Sequence, residues 1–101
     1  MGKYVRVAGV NDLNDGAGKT VQADGQPIAL FKVDGKFYAI HNACVHRGGP
    51  LGEGELEGRT VTCPWHGWSY DVTTGLNEAN PSVKVQQFPV KVEGNDVLVE
   101  V

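Results

Sequence analysis

Four residues hold the chemistry available to this sequence. Cys44-Val45-His46 and Cys63-Pro64-Trp65-His66 form the pattern C-x-H-x16-C-x2-H, two thiols and two imidazoles on segments bounded by glycine and proline. Thiolate sulfur and imidazole nitrogen are the ligands of zinc, iron and iron–sulfur clusters, and four of them make a complete coordination shell. One such residue alone would be read as a packed side chain, but four in two pairs point to a metal. Zinc sites usually leave two or more residues between paired ligands so that both reach one tetrahedral ion. The single residue between Cys44 and His46 is a poor clamp on one metal and suits a binuclear centre. Zinc stays the rival for the same ligands.

The two segments also resemble a known family. Residues 44–51, C-V-H-R-G-G-P-L, followed by residues 63–70, C-P-W-H-G-W-S-Y, are similar to the two cluster loops of a Rieske [2Fe–2S] protein. The resemblance implies a Rieske [2Fe–2S] cluster as cofactor, with Cys44 and Cys63 on the inner iron and His46 and His66 on the outer one. Two ferric ions, two sulfides and two thiolates then sum to about zero, and to about −1 when reduced, against roughly −2 and −3 for a four-cysteine cluster. Adding an electron to the less negative centre is easier, and Rieske centres as a class span roughly −150 to +300 mV.

Departures from the family pattern separate its branches. Respiratory-chain members resemble C-T-H-L-G-C and C-P-C-H-G-S, with a disulfide between the loops, a serine after the second histidine and a membrane anchor. Here the corresponding positions are Gly49, Trp65 and Trp68, and no anchor is expected. Terminal oxygenases of the family carry a further iron on two histidines and a carboxylate, for which only His41 remains. What the resemblance then implies is an electron carrier and not an enzyme in its own right: a Rieske-type ferredoxin of a bacterial multicomponent oxygenase system for aromatic hydrocarbons. Its partners would be a flavin-dependent NAD(P)H ferredoxin reductase and a terminal oxygenase. The alternative is a small Rieske-like subunit of an assimilatory nitrite reductase, although such subunits often lack some of the four ligands.

Other residues gather beside the ligands. Gly48, Gly49 and Gly67 are read either as points where backbone approaches the sulfides or as ordinary tight turns. Pro50, Leu51 and Pro81 form a candidate apolar collar, and Asn80-Pro81-Ser82 resembles the third loop that covers the cluster in this family. The resemblance places Tyr70 where a tyrosine can bond a ligand sulfur. Trp65, Trp68 and Tyr70 are otherwise expected to pack, with only one of them exposed. Glu53, Glu55 and Glu57 share one face if extended, giving either a solvated edge or a surface that steers a basic partner. His41 is expected at a strand end.

The elements that must position these residues are strands. The chain has 101 residues, including 14 glycines and 15 valines, and is expected to form one domain over residues 1–101, with a loop-rich cluster-binding subdomain at about 42–70. Apolar and polar residues alternate over residues 4–7, 19–22, 28–33, 36–40, 59–63, 90–93 and 97–101, which predicts seven short strands. Asp34-Gly35 and Gly94-Asn95 supply hairpin turns. No helical stripe is present, and residues 11–15 make one capped turn at most. The fold class is therefore all-β and antiparallel, and the resemblance implies a β-sandwich or barrel.

A net charge of −3 with scattered basic residues excludes nucleic acid as a partner. No apolar stretch approaches the roughly 18 residues of a membrane span, and the N-terminus lacks a secretory pattern. A soluble, cytoplasmic monomer is the expectation, and two cysteines would be a thin disulfide framework for a secreted domain.

Overall fold

A computed structural model describes residues 3–43, 49–65 and 67–101. Ten strands and one three-residue 3₁₀ turn are found among them: β1 (Tyr4–Gly9), β2 (Gly18–Ala23), β3 (Gln26–Val33), β4 (Lys36–His41), the 3₁₀ turn (Leu51–Glu53), β5 (Glu55–Glu57), β6 (Thr60–Thr62), β7 (Ser69–Asp71), β8 (Gln87–Phe88), β9 (Val90–Glu93) and β10 (Asp96–Glu100). They form three antiparallel sheets, ordered β1-β10-β9, β2-β3-β4-β8 and β5-β6-β7. The all-β expectation holds, with the strand list corrected. The segment expected at 59–63 contracts to β6, which leaves Cys63 just beyond its end. Strands β5, β7 and β8 are additions of two or three residues, too short to show an alternation.

Turn chemistry accounts for the hairpins. Asp34 and Gly35 both take positive φ, 50° and 79°, between Val33 and its partner Lys36, as a type I′ turn requires. Asp24 and Gly25 repeat this at 56° and 83° between β2 and β3, a hairpin that the strand pattern alone had not marked. Gly94 supplies the positive φ of the β9–β10 turn. The first strand does not join the hairpin that follows it but pairs with β10. Residues 11–15 form no helix; a turn there is tied by Asp12, whose carboxylate accepts the Gly9 N–H at 2.8 Å.

Strand β3 is buried on both faces, and this organises the core. Ile28 and Leu30 point into one cluster with Val97, Val99 and Phe88, beneath the β1-β10-β9 sheet. Ala29 and Phe31 point the other way, into a second cluster with Ile40, Leu51, Val61, Tyr70, Val72 and Cys63. Because successive side chains of a strand alternate in direction, one near-continuous apolar run can wall two cores at once. Of the candidate metal-binding residues, Cys63 belongs to the second core.

Candidate metal centre

Cys63 is the candidate ligand whose surroundings are described. Its thiol is free of any disulfide and the residue is 2% exposed. The loop that follows closes on it twice, through Cys63 N–H to the Trp68 carbonyl at 2.7 Å and Gly67 N–H to the Cys63 carbonyl at 3.1 Å. These bonds bring the two ends of the segment containing His66 together. Cys44, His46, Gly48 and His66 lie outside the described residues, and among the described residues no three metal-ligating side chains converge.

The base of the first loop is held by a residue that sequence reasoning passed over. Asn42 is 9% exposed. Its backbone carbonyl accepts Leu51 N–H at 2.7 Å, and its side-chain Oδ1 accepts Gly52 N–H at 2.8 Å and the Thr20 hydroxyl at 3.1 Å. Ala43 bridges to Pro50 in the same place. Both ends of the segment containing Cys44 and His46 are thereby fixed to β2 and to one another. No local pattern in the sequence marks this role, because the side-chain partners of Asn42 lie at positions 20 and 52.

The two loops meet at Gly49. Its backbone is not left-handed, so conformation does not demand glycine there. A Cβ on residue 49 would instead lie 2.6 Å from Cys63 Sγ and 3.1 Å from the Trp65 ring. Gly67 is the opposite case, with φ +75° and open space where a Cβ would be. Gly49 thus stands close to the Cys63 thiol and the Trp65 ring, and Gly67 makes a turn. A free, buried thiol with the second core on one side and the bare backbone of Gly49 on another fits a sulfur-ligated group, since it leaves the sulfur no covalent partner and no side chain at residue 49 in its way.

The third loop stands against the second. Its turn is built by Asn77, whose Oδ1 accepts the N–H groups of Ala79 and Asn80 at 2.9 Å, and by Asn80, which accepts Ser82 N–H at 3.1 Å. Upstream, buried Asp71 takes Thr73 N–H and hydroxyl at 2.8 and 2.6 Å and pairs with Arg59 at 3.2 Å. A groove of about 420 Å³ separates residues 67–69 from Asn77, Glu78, Ala79, Asn80 and Val83. Pro81 is exposed on this turn. Leu51, by contrast, is fully buried in the second core, which removes it from the collar. Tyr70 is buried in that core, Trp68 packs partly against it, and Trp65 alone of the three aromatics is exposed, at 58%. Glu55 and Glu57 are exposed on β5, whereas Glu53 sits in the 3₁₀ turn and leaves their alternation. His41 ends β4, as expected.

A family model for the Rieske [2Fe–2S] domain matches residues 3–89. The chain belongs to the Rieske [2Fe–2S] family. Iron–sulfur chemistry therefore takes the place that the ligand spacing had left open to zinc, and the cofactor is a Rieske [2Fe–2S] cluster. The ferredoxin component of naphthalene 1,2-dioxygenase/salicylate 5-hydroxylase systems from Ralstonia sp. is 35% identical over 98 residues, covering 96% of this chain and 94% of that protein. A chain in the complex of reduced oxygenase and oxidized ferredoxin of carbazole 1,9a-dioxygenase superposes with a TM-score of 0.88 at 31% identity, over 96% of this chain and 92% of its own length. An NADH-dependent nitrite reductase small subunit from Mycobacterium tuberculosis superposes with a TM-score of 0.90 over 100% and 96%, at 24% identity, a likeness of fold alone. Among the described residues no helix is long and apolar enough to cross a membrane.

Proposed function

We propose that this protein is the soluble, monomeric, cytoplasmic electron carrier of a multicomponent oxygenase system, with Cys44, His46, Cys63 and His66 as the cluster ligands. It takes electrons singly from a flavin-dependent NAD(P)H ferredoxin reductase and delivers them to a terminal oxygenase. The observation that carries this reading is Cys63: a free, buried thiol against bare backbone, in a chain that matches a ferredoxin component almost end to end. When bound, the cluster supplies one-electron oxidation and reduction. The protein's own part is to hold the ligands still. Asn42 clamps the base of the first loop, the Cys63–Trp68 and Gly67–Cys63 hydrogen bonds clamp the second, and Asn77 shapes the third.

One feature supports the position of this carrier at the low end of the Rieske range. Trp68 brings an indole where respiratory members have a serine hydroxyl, and losing a hydroxyl donor near developing negative charge lowers a potential. Tyr70, in the same core as Cys63, works in the opposite direction where the family resemblance places it, because a hydroxyl that donates to a ligand sulfur raises the potential. The nitrite-reductase reading rests on likeness of fold at 24% identity, while the ferredoxin reading has a full-length relative at 35%.

The test is an iron and acid-labile sulfide assay with a reduced-state EPR spectrum, followed by reduction of the purified protein by NADH through a ferredoxin reductase. Two irons and two sulfides per chain, a Rieske-type spectrum and reductase-dependent reduction of a monomer are expected. A colourless protein with stoichiometric zinc sinks the cluster assignment. A chain that is isolated only as a fixed component of a nitrite-reducing enzyme sinks the shuttle.

A further inference from the structure

The contact between the two ligand loops has a consequence for the sulfur between them. Gly49 is buried, while Trp65 in front of it is 58% exposed. The ring atoms Cγ and Cδ2 of Trp65 lie 3.1 and 3.2 Å from the place of a Cβ on residue 49, and Cys63 Sγ lies 2.6 Å from it. The indole is therefore a cover with one side on the first loop's backbone and the other in water. Cys63, two residues earlier on the same loop as the indole, is 2% exposed. An exposed tryptophan over a glycine is an expensive way to fill a gap unless the gap must stay dry. Water that reached the sulfur would favour the more highly charged state of any centre bound there and would admit reagents that remove iron.

We propose that Gly49 and Trp65 are a positioning pair for the Cys63 sulfur: the bare backbone at 49 lets the first loop close on the sulfur, and the indole seals the seam between the loops against water. The inference rests on the reading of Cys63 as a cluster ligand. It assigns different tasks to the two residues. Gly49 sets where the sulfur stands, since any side chain there meets Sγ before it meets the ring. Trp65 sets how well the sulfur is shielded, and a residue of similar shape should do as well.

The test uses holoprotein as purified, in wild type, Gly49→Ala, Trp65→Ala, Trp65→Phe and the Gly49→Ala/Trp65→Ala pair. It reads iron release to excess chelator, the reduced-state EPR line shape and the midpoint potential. Overpacking against a fixed sulfur should speed iron release of Gly49→Ala by about tenfold and alter its EPR line shape. Trp65→Ala should release iron several-fold faster with a raised potential, because admitted water stabilises the negative reduced state, and Trp65→Phe should return towards wild type in both. Removing the ring should not rescue Gly49→Ala, the sulfur being the nearer obstacle. A double variant restored to wild-type release and line shape overturns the role of Gly49. If Gly49→Ala assembles no cluster, the tryptophan variants decide: Trp65→Ala equal to wild type in release rate and potential overturns the pair. Wild-type protein with two irons and an intact spectrum, which is measured alongside, separates failure of this inference from failure of the cluster assignment, because the latter leaves nothing to release.

Discussion

Replacing Asn42 by alanine tests how the first loop is held. Two hydrogen bonds are lost, one from the buried Gly52 N–H at 2.8 Å and one from the half-buried Thr20 hydroxyl at 3.1 Å. The hydroxyl can turn towards water, and its loss is small. The amide cannot, because Gly52 is buried and is wedged against β2, where a Cβ on it would lie 2.5 Å from Thr20 Oγ1 and 2.7 Å from the Lys19 carbonyl carbon. Stranding a buried donor costs about 1–3 kcal/mol, and with the hydroxyl the sum is about 2–3 kcal/mol. That is a large share of the roughly 5–15 kcal/mol that holds a small domain together. At about 4–8 °C per kcal/mol for a chain of this size, the melting temperature should fall by roughly 10–20 °C. The assay follows tryptophan fluorescence and cluster absorbance in the same thermal scan. Both transitions should move down together, since Asn42 ties the base of the loop carrying Cys44 and His46. A melting temperature within about 3 °C of wild type would refute the reasoning, and so would a loss of absorbance that stays where it was.

The remaining predictions concern the ligands and the surface. His66→Cys adds about one negative charge to the cluster, so the midpoint potential measured by protein-film voltammetry should fall; an unchanged or higher value removes His66 from the ligand set. Glu55 and Glu57 are exposed on β5, and exchanging both for glutamine should slow electron transfer from a reductase at low salt while changing little near 1 M, where the Debye length is about 3 Å. Equal rates for variant and parent at low ionic strength would leave the two carboxylates as a solvated strand edge.

Much of the scaffold was legible in the sequence because local physics sets it. Alternation over β3 and β4 and the Asp34-Gly35 turn identify a hairpin without reference to the rest of the chain, and the structure has it. Pairing of β1 with β10 joins residues some 90 positions apart in sequence, and no local pattern announces that. Strands of two or three residues, such as β8, exist because a neighbour offers an edge and not because of their own period. The site divides along the same line. Ligand types and spacing pointed to a metal centre and the resemblance of the two loops to the family, but Gly49 and Gly67 are the same letter for two different reasons: one avoids a clash with Sγ and the other supplies positive φ. Asn42 had no visible role until residues 20 and 52 were brought to it.

Why an electron carrier should be built this way follows from where Cys63 stands. Its side chain is part of the second core, with Phe31, Ile40, Leu51, Val61 and Tyr70, so the sulfur is held by close packing and not only by its loop. Interiors packed at this density deform little. With Cys63 in its proposed role as a ligand, a sulfur anchored there keeps its position when the charge of the centre changes by one. The first core lies across β3 and β4 from Cys63, with Ile28, Leu30 and Ala39 facing one way and Ala29, Phe31 and Ile40 the other. Substitutions among Val97, Val99 and Phe88 should therefore lower stability while leaving the potential where it is. Changes on the far face of β3 should move both, because there the same atoms that stabilise the fold also fix the sulfur.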